Sequence, residues 1–408
     1  MQTQSLSEAR AGPLMRRPEA LLVLMAIAMP LSFSVWSALL NNFVVDAADF
    51  DGADIGWLHT VREVPGLLAV FVIAIIIYMR EQVLALVMLV LLGVAKAMTA
   101  YFPSLGGILA ITMLSSIGFH YYETANQSLQ LQWLDKARAP QVLGWLLAAG
   151  SAATLVAYSV IVLTWQAFSL SYATVYLAAG GLTVLIALYC FFAFPQIEAP
   201  TPQIKKMVLR RRYWLYYALQ FMAGARRQIF VVFAGFMMVE KFGFQVHEIT
   251  ALYLINLIIN MLVAPMLGRA VGHFGERNTL AFEYVGLTLV FLAYGGLYYF
   301  SWGVAVAATL YVLDHIFFGL ALAQKTYFQK IADPADIAPT AAVAFTINHI
   351  AAVFLPALLG YLWLASPPSV FLLAACMALI SLLLSLLIPR HPAPGHETIF
   401  APRLAAAE

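Results

Sequence analysis

Twelve ionisable side chains interrupt stretches of sequence that are otherwise apolar: Arg62, Glu63, Lys96, His120, Glu123, Arg226, Arg227, Glu283, Asp314, His315, Lys325 and His349. A charge in an apolar run is costly, and it persists where it meets a partner, water or a ligand. Arg226 and Arg227 stand in Gln220-Phe-Met-Ala-Gly-Ala-Arg226-Arg227-Gln228. Neighbours on a helix point about 100° apart, so the two arginines face different surroundings. Gln220, Ala223 or Gly224, and Arg227 share one face. A guanidinium is a fixed donor fork suited to carboxylate or phosphate. The pair is therefore a candidate anion clamp; the alternative is that both arginines pair with acidic residues of neighbouring helices.

His120, Glu123 or Thr124, and Gln127 form a second polar stripe. A carboxylate in such a setting can carry a proton if a conformational change alters its surroundings. His120 and Glu123 could also offer two metal ligands, with Met25 and Met29 as soft partners, but no third ligand is forced and no metal or cofactor is expected. Arg62 and Glu63 precede Pro65-Gly66, which should bend their helix. Being adjacent, each is expected to pair with another helix and to tune a conformational contact. Asp314, Phe318, Ala321 and Lys325 follow helical spacing on one face. Lys325 there either adds a cation to the clamp or snorkels to the interface.

The candidate substrate-binding residues are thus Arg226, Arg227, Lys325, Gln220, His120 and Gln127, with Glu123, Asp314, Arg62 and Glu63 for proton coupling or gating. Lys96 is expected to reach the outer surface, Glu283 to sit near a cytoplasmic end, and His349 to be a satisfied core histidine. Trp165, Trp302 and Trp363 read as an interfacial belt, and Trp36, Tyr121 and Tyr217 as deeper aromatics. No nucleophile elbow, Walker sequence or HExxH is present, so no enzyme is indicated.

The elements that position these residues follow from composition. Of 408 residues, 63% are hydrophobic and 10% charged, and the mean hydropathy is +0.86. Soluble domains are nearer half apolar and a quarter charged. This excludes an ordinary soluble enzyme, a disordered chain and a disulfide scaffold. The net charge of +2 gives no argument for nucleic acid, and Cys190 and Cys376 both lie in apolar runs. A spanning helix needs about 20 apolar residues. Twelve such segments are predicted, at 20–40, 54–79, 83–102, 106–133, 141–165, 171–194, 213–239, 248–268, 279–300, 303–329, 340–364 and 368–388. The run after Arg16-Arg17 is too long for a signal peptide and is read as the first span. With a cytoplasmic N-terminus, sixteen Lys and Arg fall inside, Lys241 alone falls outside, and five lie within spans. That bias predicts both termini in the cytoplasm.

The polar stretch 195–212, with three prolines and five basic residues, divides the chain into a bundle over 1–194 and another over 213–408 with a short tail. The halves are distantly alike. Phe194-Pro195 and Ile388-Pro389 lie 194 residues apart, as do Ile55 and Ile249; DKARAP and DPADIAP precede the fifth and eleventh spans. These matches suggest a duplicated six-helix unit. Between spans eight and nine stands Gly268-Arg-Ala-Val-Gly272-His-Phe-Gly275-Glu-Arg277. It resembles the loop G-x-L-a-D-r-x-G-r-r of the major facilitator superfamily, with Gly268, Gly275 and Arg277 on motif positions and Gly272 in place of the usual Asp. After span two the equivalent is only Tyr78-Met-Arg80-Glu81-Gln82, so the motif is absent there.

The resemblance covers essentially the whole chain. It implies an all-α integral membrane fold of twelve helices in two six-helix bundles, alternating access, and a cavity lined by spans one, four, seven and ten. The expected function is secondary transport of a small anionic or zwitterionic solute across the inner membrane, coupled to protons. A monomer in the lipid bilayer is expected. The alternatives are efflux of amphipathic compounds, favoured by 27 Phe, 19 Tyr and 8 Trp, a metal or metal-chelate carrier, and a membrane sensor that transports nothing.

Overall fold

The computed structural model describes residues 3–13, 16–68, 72, 75, 78–134, 139–197, 209–333 and 336–401. Eleven helices among them are long and apolar enough to cross a membrane. The second predicted span is described as a helix over Gly52–Leu67, and part of its remainder lies outside the described residues. So do Lys136, Arg138, Arg403 and residues 198–208 of the predicted linker, including Lys205 and Lys206.

The chain forms two compact units. One holds Met1–Phe50, Val61–Ile204 and Phe244–Leu254; the other holds Asp51–Thr60, Lys205–Gly243 and Ile255–Glu408. In the first unit, spans one and three to six are the helices Pro18–Ala48, Glu81–Met98, Leu105–Trp133, Ala139–Thr164 and Tyr172–Ala193. Small residues let them approach closely, as membrane helices require. A methyl added at Gly93 would lie 2.8 Å from the carbonyl oxygen of Gly180, and one at Gly118 would lie 2.7 Å from the backbone nitrogen of Leu92. Buried hydroxyls are spent on backbone carbonyls: Tyr122 donates to Met25 (3.0 Å) and Thr183 to Ala28 (2.9 Å). Met25 lies in this apolar core with Met29 packed against it. The extreme N-terminus is tied down by a short parallel pairing of Thr3 with Gln196 and Gln4 with Ile197.

In the second unit the seventh span runs from Trp214 to Gln228, widens into a π turn over Ile229–Ala234, and resumes as Gly235–Glu240. Such π segments recur at functional sites, and this one begins at Ile229, two residues after Arg227. Spans eight and nine form one run, Val246–Gly296, of which the residues up to Leu254 belong to the first unit; it is broken at Gly275, where φ is 77° and ψ is 164°. The segment expected as a loop is therefore helical up to a single left-handed break. Only glycine adopts that φ without strain. The tenth span is likewise two helices, Val304–Gly319 and Leu322–Ile331, joined by tight i→i−3 hydrogen bonds at Leu320, Ala321, Ala323 and Gln324. Spans eleven and twelve are Ile337–Ala365 and Pro367–Leu386. Thr60 inserts its hydroxyl beside Pro356 of span eleven, donating to Val353 (2.8 Å) and accepting from the amide of Ala357 (3.1 Å).

The basic end of the linker docks on the acidic loop before span eleven. Arg210 donates Nε and an NH2 group to Asp336 at 3.1 Å each, Tyr213 adds a bond of 3.1 Å, and Arg212 pairs with Asp333. The Arg210 hydrogen bonds hold the Asp336 carboxyl below its ordinary value. A carboxyl whose folded value is depressed stabilises the fold above its unfolded value, about 4, and loses that contribution as the pH falls further. Asp336→Asn is therefore expected to melt below the wild type at neutral pH, with the gap closing in acid. Thermal melts across that range check this; a gap that does not change with pH refutes it.

Candidate functional site

The first unit gathers its charges around Trp36. The Lys96 ammonium lies 3.4 Å from the centre of the Trp36 ring, and the Arg62 guanidinium lies 6.0 Å from the same ring. This is a cation–π arrangement. Lys96 is 3% exposed, so the expectation that it reaches the outer surface is wrong: the indole face makes burial tolerable. Arg62 and Glu63 do pair with each other, against expectation, through bonds of 3.0 and 2.5 Å from Nε and NH2 to Oε1. A long arginine can fold back along the helix surface, which the 100° separation of Cβ directions does not forbid.

On span four, His120 is buried and its Nδ1 lies 3.0 Å from both the hydroxyl and the carbonyl of Ser116. The Ser116 hydroxyl in turn donates to the carbonyl of Arg62. Gln127, exposed, donates to Glu123 Oε1 at 3.0 Å, so the stripe read from spacing exists, and Glu123 is held by its own helix.

The second unit separates the two arginines. Arg226 is wholly buried. It donates to Ser381, faces Glu283 at 3.7 Å and lies 4.5 Å over the Tyr284 ring. Arg227 is exposed and donates to Asn348 Oδ1 at 3.1 Å. Gly224 makes this possible, because a methyl there would meet the Asn348 carbonyl at 2.5 Å. Asn348 also donates to the carbonyl of Gln220 (3.2 Å), and the Gln220 side chain donates to Gln324 (3.1 Å). Gln220 and Arg227 are thus brought together as their shared face predicts.

Asp314 is buried in the Arg226 region, whereas Lys325 is exposed and takes no part in these contacts. A tight turn at Leu320–Ala321 lies between the two residues of span ten, Asp314 buried and Lys325 exposed. Glu283 is fully buried against Arg226. Its signal was in the sequence, as a carboxylate in an apolar run. Trp363 is 2% exposed, bonded to Glu240 (3.0 Å) and stacked on Phe233, so it is core and not belt. His349 is buried with Nδ1 2.9 Å from the carbonyl of Phe345, as a core histidine would be.

In the motif segment, Gly268 is exposed and Arg277 half-buried. The residue missed there is Glu276, 2% exposed and paired with Lys330 at 2.7 Å. Gln324, Asn348, Tyr284 and Ser381 were also missed, since amides and hydroxyls in long apolar helices carry no distinctive spacing.

A model of the Major Facilitator Superfamily matches residues 21–348. None of the curated proteins matches the sequence. Among solved structures, a variant of the nucleoside transporter NupG is similar at a TM-score of 0.75 and 14% identity, covering 90% of this chain and 99% of that one. A bacterial homologue of the human lysosomal transporter Spinster, inward-facing and occupied, gives 0.69 and 12%, covering 92% and 97%. A POT family transporter in complex with a thioalcohol-conjugated peptide gives 0.68 and 13%, covering 90% and 94%. At these identities the likeness is one of fold.

Proposed function

The chain belongs to the Major Facilitator Superfamily, and from that premise we propose that it carries a small anionic or zwitterionic solute, coupled to protons. It is a multi-pass membrane protein, and the fold is that of secondary transporters working by alternating access. The observation that carries the solute reading is the division of labour at Arg226 and Arg227. Arg226 is enclosed beside Glu283, while Arg227 presents its guanidinium at an exposed position, oriented by a neutral amide. An oriented, exposed guanidinium suits carboxylate or phosphate. The same Asn348 side chain is anchored to the backbone carbonyl of Gln220. Asp314 is the group assigned to the proton, with Glu123 a second carboxylate in the first unit. The excess of Lys and Arg on one side supports cytoplasmic termini, and the repeated features of the two halves support two six-helix bundles of common origin.

The test is a thermal-shift panel on purified protein at two pH values, with small carboxylates, phosphates, amino acids, short peptides, nucleosides, cationic dyes and divalent metals. A specific ligand stabilises by about 2.7 kcal/mol at a hundred times its dissociation constant. An anion or zwitterion is expected to shift the wild type and not Arg227→Ala, and flux of that ligand in vesicles is expected to fall to background in the variant. A shift that Arg227→Ala retains in full refutes the assignment. Shifts by dyes or metals alone favour the efflux or metal readings instead.

A further inference from the structure

Four helices of the first unit contribute to a cluster around Trp36 of span one: Arg62 and Glu63 come from span two, Lys96 from span three, and Ser116, Phe119 and His120 from span four. Trp36 is 2% exposed, and aromatic contacts fix its surroundings. Phe33 lies against it at 5.9 Å between ring centres, Phe33 stacks on Phe119 at 5.1 Å, and Phe119 meets the His120 ring edge-on at 5.0 Å. The Ser116 hydroxyl donates to the carbonyl of Arg62 and so ties span two to span four at that residue. Phe33, Arg62 and Phe119 are half-buried, so the cluster is not sealed.

The cluster carries more positive charge than negative. Arg62 is answered by Glu63, whose Oε1 accepts both of its bonds. Lys96 is 3% exposed, and among the described residues no carboxylate lies within ion-pair distance of it. None of residues 69–77 is ionisable, so the undescribed part of span two supplies no counter-charge either. The Trp36 face, 3.4 Å from the ammonium, offsets part of the cost of burial, but a ring has no net charge. Arg62 addresses the same ring from 6.0 Å, and like charges repel. A buried cation without a counter-ion is costly. One turn before Trp36 and on the same face, Ser32 is 1% exposed, and its hydroxyl has no hydrogen-bond partner among the described residues. The cluster is thus one negative charge short, with hydrogen-bond donors to spare and two half-buried aromatic rings beside them.

We propose that Lys96 anchors a binding site for a monocarboxylate in the first unit. Its ammonium supplies a charge-assisted hydrogen bond to the carboxylate, the Arg62 charge adds to the attraction, and Phe33 and Phe119 offer apolar surface to the body of the ligand. A single negative charge restores neutrality, whereas a phosphate monoester carries about 1.5 to 2 at neutral pH and overshoots it. The site goes beyond the reading built on Arg227 and does not depend on it.

Equilibrium binding of radiolabelled benzoate to the purified full chain, at constant ionic strength, tests this. The titration is run in the wild type and in Arg227→Ala, which removes the other candidate anion site. Both are expected to bind benzoate saturably, with displacement by acetate and little displacement by chloride or phosphate. Adding Lys96→Met to Arg227→Ala is expected to weaken binding by about 10- to 100-fold, the equivalent of one charged hydrogen bond. Lys96→Met alone is expected to melt no lower than the wild type without carboxylate, because it removes a charge that has no counter-ion; a lysine with a purely structural role would lower the melting point and leave binding unchanged. Lys96→Gln carries the same expectation for binding if the methionine variant does not fold. Absence of saturable binding in the wild type overturns the proposal whether or not any variant folds, and so does binding that the Lys96 variants retain in the Arg227→Ala background. Binding lost on Arg227→Ala alone assigns the carboxylate to Arg227 and overturns the Lys96 site, whereas binding indifferent to Arg227→Ala and lost with Lys96 upholds it and counts against the Arg227 clamp. Displacement of benzoate by phosphatidylserine, where phosphatidylcholine has no effect, supports the same carboxylate site with lipid as its source; no displacement supports it as a site for a solute.

Discussion

Arg226→Met is expected to destabilise the protein by about 3–5 kcal/mol, the cost of breaking a buried ion pair by removing one partner. The site supplies the reason. The guanidinium is wholly buried, donates to Ser381, covers Tyr284 and faces Glu283. Methionine fills similar volume but leaves the Glu283 carboxyl with no counter-charge. The loss is therefore electrostatic and not a cavity effect. It follows that the double variant Arg226→Met/Glu283→Gln recovers much of the loss, because it removes the group left uncompensated, and the two substitutions are strongly non-additive. Denaturant unfolding in mixed micelles reads both quantities. A single variant as stable as the wild type, or a double variant with the summed loss of the singles, contradicts the assigned pairing.

Gly180→Leu is expected to prevent assembly of the first unit. Spans three and six touch there backbone to backbone. A methyl at Gly180 would lie 2.5 Å from the amide nitrogen of Ala97, and it would meet the Gly93 carbonyl oxygen as well. Backbone atoms of two packed helices cannot rotate away as a side chain does, so the cost exceeds the about 1–3 kcal/mol of ordinary overpacking. Helix association in lipid depends on such close approach. Gly181 is the internal control, since a methyl there meets nothing within 4 Å. Gly181→Leu is expected to give a monodisperse peak on size exclusion, and Gly180→Leu to aggregate or be degraded. Equal behaviour of the two variants contradicts the packing described.

The spans were legible because the constraint behind them is local. A segment of about 20 apolar residues must be helical in hydrocarbon whatever surrounds it, and so eleven of the twelve predicted spans match described helices that meet the length and apolarity of a crossing. The polar stripes were legible for the same reason: Glu123 with Gln127, and Gln220 with Arg227, are set by helical periodicity. Periodicity fails where the helix does. A tight turn at Leu320 and Ala321 interrupts the helix between buried Asp314 and exposed Lys325, and no residue type at those positions announces it.

The amino-acid sequence by itself determined the membrane class, the positions of the spans, the family and the identities of the charges that lipid could not have tolerated unpartnered. Only the tertiary structure decided which charges meet. Arg226 faces Glu283 across 57 positions of chain and Arg227 faces Asn348 across 121, while Arg62 satisfies its own neighbour. Lys96 finds an indole ring where a lipid surface was expected. The physical reason is that helix formation in a membrane is fixed by the solvent acting on each segment alone, whereas the rotation of each helix about its axis is fixed by its neighbours. A side chain's partner therefore depends on packing between segments, which no single segment encodes.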